Sequence, residues 1–115
     1  MRPSDMDAAR LWDMLTYAKE IHERIAGLTP DGYMAESDRR MAMERRLEVI
    51  GEAARNVSRE FQEAHPEIPW RQIIGLRNVL AHEYGDIKHE RIFRIATNQI
   101  PALISALEPL IPRPE

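Results

Sequence analysis

The chain has no cysteine, only two lysines, five glycines and seven aromatic residues in 115 positions. Without cysteine there is neither a disulfide nor a thiolate metal site, which fits a reducing compartment. No apolar run approaches the roughly 18 residues that a membrane span needs. The opening MRPSDMDAAR also lacks the apolar core of a signal peptide. The expectation is a cytoplasmic protein with no membrane contact. What the sequence does have is charge, at 30% of residues, and 43% hydrophobic residues with 6% aromatic. That balance describes a soluble, helix-rich domain. The length suits one modest core and one domain, 1–115.

A net charge of −3 and a pI of about 5.8 argue against a protein that coats nucleic acid indiscriminately. The charge is uneven, however: −4 over residues 1–38, +2 over 39–77 and −1 over 78–115. Fourteen of the sixteen basic residues are arginine, whose planar fork suits bidentate phosphate binding, although base composition alone can produce the same bias.

Hydrophobic spacing follows a helical period throughout, and no segment alternates as a strand does. Ser4 can cap a first helix over about 5–26, with Leu11, Leu15, Ala18, His22 and Ile25 along one face and Gly27 at its end. TPDGY, 29–33, reads as a turn. A long second helix, about 35–64, carries Met43, Leu47, Ile50, Ala54, Val57 and Phe61 in steps of four and three, and Pro66 ends it. HPEIP, 65–69, is a stiff connector, because each proline fixes its own φ and restricts the residue before it. A third helix, about 70–84, closes at Gly85 in a left-handed cap. A fourth, about 88–108, follows Asp86 and is bent by Pro101, and the tail IPRPE is loose. Four helices joined by short connections imply an all-α four-helix bundle with a kinked last helix.

RNVLAHEY, 77–84, asks for a reading beyond packing. At about 100° per residue, Ile73, Leu76, Val79 and Leu80 form the core side of the third helix. Arg77 stands at the edge of that side, with Tyr84 nearly above it. His82 points roughly 140° from Arg77, on a side shared with Asn78 and Gly75. One bundle would leave that side in solvent. Two copies related by symmetry would bring it into a shared cleft, and Gly75 would permit close approach there. On the second helix, Glu48, Glu52, Arg55 and Arg59 form a charged stripe. It is either a solvated face or a network that braces Arg77.

An arginine and a histidine without a metal suit RNA cleavage. That reaction needs one group to take the 2′-hydroxyl proton, one to protonate the leaving oxygen, and positive charge around the crowded phosphorus. Arginine stays cationic and can hold the phosphate, while histidine exchanges protons near neutrality. A histidine in the last helical turn sits where the helix dipole favours positive charge, which suits the acid role. The four histidines, at 22, 65, 82 and 89, form no His-x-x-x-His pair, so no catalytic metal and no cofactor is expected.

The segment also resembles a known family. Arg77 to His82 matches the Arg-x-x-x-x-His motif of the HEPN superfamily of helical ribonucleases, and Tyr84 extends it to the Arg-x-x-x-x-His-x-Tyr form of the HepT-like toxins. LEVIGEAARNVSREFQEAHPEIPWRQIIGLRNVLAHEYGDI, 47–87, looks like the family's central two helices, with GEAA, HPEIPW and IIGLRN in order and Val79 and Glu83 at variable positions. The resemblance implies a homodimeric, metal-independent endoribonuclease acting as a toxin on RNA, tRNA included. It implies Arg77 and His82 as the catalytic pair and Asn78 in the polar neighbourhood of the site, and Glu52 of the charged stripe is expected to support them. It also implies a minimal nucleotidyltransferase antitoxin that attaches AMP to Tyr84. Two other readings use the same residues. One is a noncatalytic helical partner of a nucleotidyltransferase, with RNVLAHEY as the interface. The other is a purely structural dimer.

Overall fold

The computed structural model describes residues 3–112, and no strand occurs among them. The chain runs through helices α1 (Asp5–Ile25), α2 (Pro30–Ala35), α3 (Ser37–Arg55), α4 (Arg59–Ala64), α5 (Trp70–His82), α6 (Gly85–Arg94) and α7 (Ile100–Leu107), with a π-helical segment, Ile95–Gln99, joining the last two. The long rods are α1, α3, α5 and the continuous run from α6 to α7. α3 lies between α1 and α5, and α7 closes the bundle against α1. The fold is all-α and HEPN-like in outline. Residues 113–115 of the tail IPRPE lie outside the described residues.

Each rod turns one apolar face to the centre. α1 buries Leu11, Met14, Leu15, Ala18, Ile21 and Ile25. Its inward residue at the last full turn is Ile21, and His22, expected on that face, is exposed. α3 buries Met43, Leu47, Ile50, Ala53 and Ala54 together with Gly51. α5 buries Trp70, Ile73 and Leu76, while Val79 and Leu80 are half-buried.

The helix expected over 70–84 ends at His82, so the extended Tyr84 does not stack above Arg77 on it. The structure departs from the expected boundaries in three further places, each with a local cause. TPDGY is a short helix rather than a turn. Thr29 caps it by accepting the Gly32 N–H at 3.0 Å, and Pro30 occupies the first turn, where its missing N–H costs nothing. This helix seats Tyr33 in the core against Phe93, with ring centroids 5.5 Å apart. Burial pushes the Tyr33 phenol well above its ordinary pKa.

The second departure is a break in the helix expected over 35–64, at residues 56–58. Asn56 closes α3, its side chain donating to the Glu52 carbonyl at 2.9 Å. Ser58 then caps α4 by accepting the Phe61 N–H at 3.2 Å. The apolar stripe survives the break, since Val57 and Phe61 are both buried.

Third, the run expected over 88–108 begins at Gly85, whose φ of +65° is the left-handed conformation that favours glycine. The run widens into a π turn just before Pro101. The Ile100 N–H bonds back to the Ile95 carbonyl, five residues away. Pro101 cannot donate, and its ring would collide with the carbonyl one turn earlier. The wider turn relieves that collision and leaves Ile100 buried.

The two halves of the chain are tied by one buried carboxylate. Asp7, 6% exposed, accepts the Ser58 N–H at 2.8 Å and the Ser58 hydroxyl at 2.6 Å. Its own N–H is held by Ser4 at 3.1 Å. The start of α1 thus fixes the start of α4, and α4 leads into the connector before α5. Asp7→Ala should lower unfolding free energy by about 2 kcal/mol, because a partly buried donor pair loses its charged acceptor. Ser58→Ala should cost about 1–2 kcal/mol through removal of the cap. Denaturant titration should find the double variant less than additive, whereas strict additivity would mean the two residues do not act together.

Candidate functional site: an arginine-lined groove beside α5

The position of α5 is set at both ends of its first half. In the connector, Ile68 is 1% exposed. The Trp70 N–H donates to the Ile68 carbonyl at 2.8 Å, and the Trp70 indole N–H donates to the His65 carbonyl at 2.9 Å. Phe61 lies tilted against His65 and meets Trp70 edge-on, with centroids at 4.3 and 6.4 Å. One turn further on, Gly51 of α3 presses against α5 so closely that a Cβ there would lie 3.1 Å from the Ile73 carbonyl oxygen.

Beside this crossing lies a groove of about 770 Å³. Its walls include Arg10 and Asp13 of α1, Arg45, Glu48, Glu52 and Arg55 of α3, and Arg71, Gly75, Arg77 and Asn78 of α5. Arg77, Asn78 and Glu52 are therefore brought together in one exposed concavity. The bracing network expected as one option for Arg77 is not formed. Glu48 pairs with Arg45 at 2.6 Å, and the Glu52 carboxylate makes no ion pair or hydrogen bond among the described residues. Arg59 stands beyond the break after α3, apart from the groove walls.

His82 does not line the groove. It is the last residue of α5 and is exposed. Its direction is nonetheless that of the groove's α5 wall: Arg71, Gly75, Asn78 and His82 follow one another in steps of four, three and four, which stack on one helix face. Arg71 is the member of this row that the motif alone does not single out. The signal for it is its position seven before Asn78, two helical turns along the same stripe.

The turn after His82 alternates between outside and inside. Glu83 is half-buried and pairs with Arg91 of α6. Lys88 of α6 pairs with Glu44 of α3 at 2.7 Å. Between these anchors Tyr84 is extended and 80% exposed. A second concavity of about 570 Å³ lies across α5, lined by Gln72, Gly75, Val79, Arg91, Arg94 and Asn98 among others. Gly75 is the ridge between the two, and a Cβ built there meets nothing within 4 Å. Among the described residues no three His, Asp or Glu side chains converge as metal ligands. No described helix is long and apolar enough to cross a membrane.

Residues 14–110 match the HepT-like ribonuclease family. The chain belongs to that family. One relative, a Methanocaldococcus jannaschii protein named as a candidate RNase, is 35% identical over 103 residues, covering 90% of this chain and 85% of its own. Another from the same organism, named likewise, is 32% identical over 100 residues, or 87% and 92% of the two chains. A Thermococcus cleftensis protein named as a probable ribonuclease HepT is 32% identical over 80 residues, or 70% and 73%. No solved structure matches the HepT-like chain.

The contact at Gly51 sets the groove's width, and two effects compete there. Alanine would gain up to about 1 kcal/mol of helix propensity, against a contact that needs only a few tenths of an ångström of relief. Gly51→Ala should therefore leave the melting temperature nearly unchanged. Gly51→Val, with branched bulk against a backbone carbonyl, should cost about 1–3 kcal/mol. Thermal unfolding of both variants checks this, and equal stability would show that α5 does not rest on Gly51.

Proposed function

We propose that this HepT-like protein is a metal-independent endoribonuclease that acts in the cytoplasm as the toxin of a toxin–antitoxin pair. Its substrate is RNA, with tRNA as one option, and its site is shared between the two copies of a homodimer. The observation that best supports this reading is Arg77. It stands without a side-chain partner among the described residues, next to Asn78, in a groove whose α5 wall runs on to the exposed His82.

In the reaction the RNA 2′-oxygen bonds to phosphorus and the bond from phosphorus to the 5′-oxygen breaks, leaving a cyclic phosphate and a 5′-hydroxyl. The proton lost by the 2′-hydroxyl and the proton gained by the leaving oxygen are the two transfers in which His82 takes part. Arg77 offers two parallel N–H groups to the phosphate oxygens as negative charge concentrates there.

Two features support a dimer. Arg77 and His82 diverge by roughly 140° on one helix, so a single copy does not aim both at one phosphate. Gly75 lies on the His82 side of α5 with open space where a side chain would be, and nothing among the described residues accounts for that gap. A second copy packed on the face would.

Arg77→Ala and His82→Ala should each lower RNA cleavage by at least about a hundredfold, with unchanged helicity, since both side chains are exposed. Wild-type activity should elute at the mass of a dimer. Full activity in both variants, or in a monomer, would end this reading.

Neutralisation is proposed to come from a minimal nucleotidyltransferase that transfers AMP from ATP to the Tyr84 hydroxyl, releasing pyrophosphate. The 80% exposure of Tyr84 supports access by another protein's active site. The added phosphodiester would bring negative charge to the end of the stripe that holds substrate phosphate, and substrate would be repelled and obstructed. Incubation with ATP and the partner should add AMP at Tyr84 and silence cleavage. Equal neutralisation of Tyr84→Phe would mean that binding alone inhibits. The alternative, a noncatalytic helical partner of the nucleotidyltransferase, is favoured only by the exposure of Tyr84 and Ile87, at 80% and 73%. A chain that binds the partner but cleaves no RNA would fit that alternative.

A further inference from the structure

We infer that the groove between α1, α3 and α5 holds the sugar–phosphate backbone of the RNA flanking the scissile bond, with Arg71, Arg55 and Arg10 as phosphate-binding residues. This rests on the ribonuclease reading of Arg77 and His82 and assigns residues which that reading does not use.

The first argument is electrostatic. Five guanidinium groups line the groove against three carboxylates, and Glu48 is already engaged by Arg45. Arg10, Arg55, Arg71 and Arg77 have no side-chain hydrogen bond or ion pair among the described residues. Of the described arginines outside the groove, Arg24, Arg39, Arg40, Arg46 and Arg91 all have such partners, while Arg59 and Arg94 stand free singly. Unanswered cations gathered in one concavity repel one another, and in a chain of net charge −3 they mark a place for an anion brought from outside.

The second argument is positional. A polymer with a phosphate at every step has to lie somewhere on either side of the bond that reacts. The row Arg71, Gly75, Asn78, His82 makes the α5 wall of the groove lead toward His82, so a strand laid along it arrives at the proposed chemistry.

The groove's make-up also indicates how it would read RNA. Among the described residues no aromatic side chain lines it, so bases find no stacking platform there. Its affinity would come from phosphate contacts, with strong salt dependence and little base preference. Asp13 and Glu52 oppose any anion there, and the four unpaired arginines outweigh them for a polymer that carries a phosphate at every step.

The test uses the full chain carrying His82→Ala, so that RNA stays intact, and a fluorescently labelled single-stranded oligoribonucleotide titrated at several salt concentrations. Adding Arg71→Ala, Arg55→Ala or Arg10→Ala should each weaken binding roughly tenfold. Each should also flatten the dependence of log K on log salt by about 0.7 for every phosphate no longer held. Arg71→Lys should keep the slope, and Arg24→Ala, outside the groove, should change neither quantity. Circular dichroism confirms folding of each variant. Unchanged affinity and slope in the three groove variants, or no RNA binding at all, overturns the inference. So does a loss of affinity for the nucleotidyltransferase with RNA binding intact, which would make the groove a protein-docking surface. Failure of the ribonuclease reading is seen separately: RNA held through the groove but never cut by the unsubstituted chain leaves the groove assignment standing and removes the proposed activity.

Discussion

The close crossing of α3 and α5 at Gly51 is the constraint on which the functional face depends. Helix axes normally stand about 8–10 Å apart according to the side chains between them. Here the side chain is absent on one side, and the partner is the backbone carbonyl of Ile73. Ala53 and Ala54 keep the neighbouring positions small and buried, while Ile73 and Leu76 fill the space on the α5 side. Because the contact is backbone against backbone, neither rod can slide without opening a gap or a clash. Glu52 and Arg55 on one rod and Arg77 and Asn78 on the other are therefore presented across a groove of set width. The connector adds the second fixed point, since Trp70 is bonded back to the segment that precedes it through both its main chain and its ring.

The sequence made the rods legible because their apolar spacing is a direct consequence of packing. The stripe Met43, Leu47, Ile50, Ala54, Val57, Phe61 is buried along its whole length, and the row Ile73, Leu76 is the inward face of α5. What it hid are features with no period. The break at 56–58 keeps the stripe's spacing, so hydrophobicity cannot reveal it. Its caps, Asn56 and Ser58, are single polar residues without a period, and a bond from Ser58 to Asp7, 51 residues earlier, holds the break in place. The helix at Pro30–Ala35 was visible only through its cap and proline, in a composition that reads equally well as a turn. The groove was less legible still. Asn78, Arg77 and Glu52 could be singled out along the chain, yet Arg10 joins them only because α1 packs on α3, a tertiary fact that no local pattern encodes.

The turn from α5 to α6 shows how one short segment can be both held and offered. Glu83 turns inward to Arg91, and Lys88 reaches Glu44 on α3. Gly85 takes the left-handed bend between them. The neighbours of Glu83, His82 and Tyr84, consequently face out. A side chain on an untethered loop would sample many directions at an entropic cost on each encounter. Here the outward residues inherit their direction from an anchored one, which is what pre-organisation requires if they are to meet a phosphate or another protein, as proposed.

Several features of α5 oppose stability when the chain is considered alone. Gly75 in mid-helix forgoes about 1 kcal/mol relative to alanine, with nothing nearby that alanine would strike. Unpaired arginines share a groove with one another. Ile87 and Tyr84 are large and exposed at its end. Each departure is small, and they fall along α5, the groove beside it and the turn that follows it. A small exchange of stability for contacts made outside the chain is what would be expected of residues that bind RNA or a partner, as proposed. The substrate, second copy and modifying partner proposed for this chain would each have to approach α5 or the turn after it.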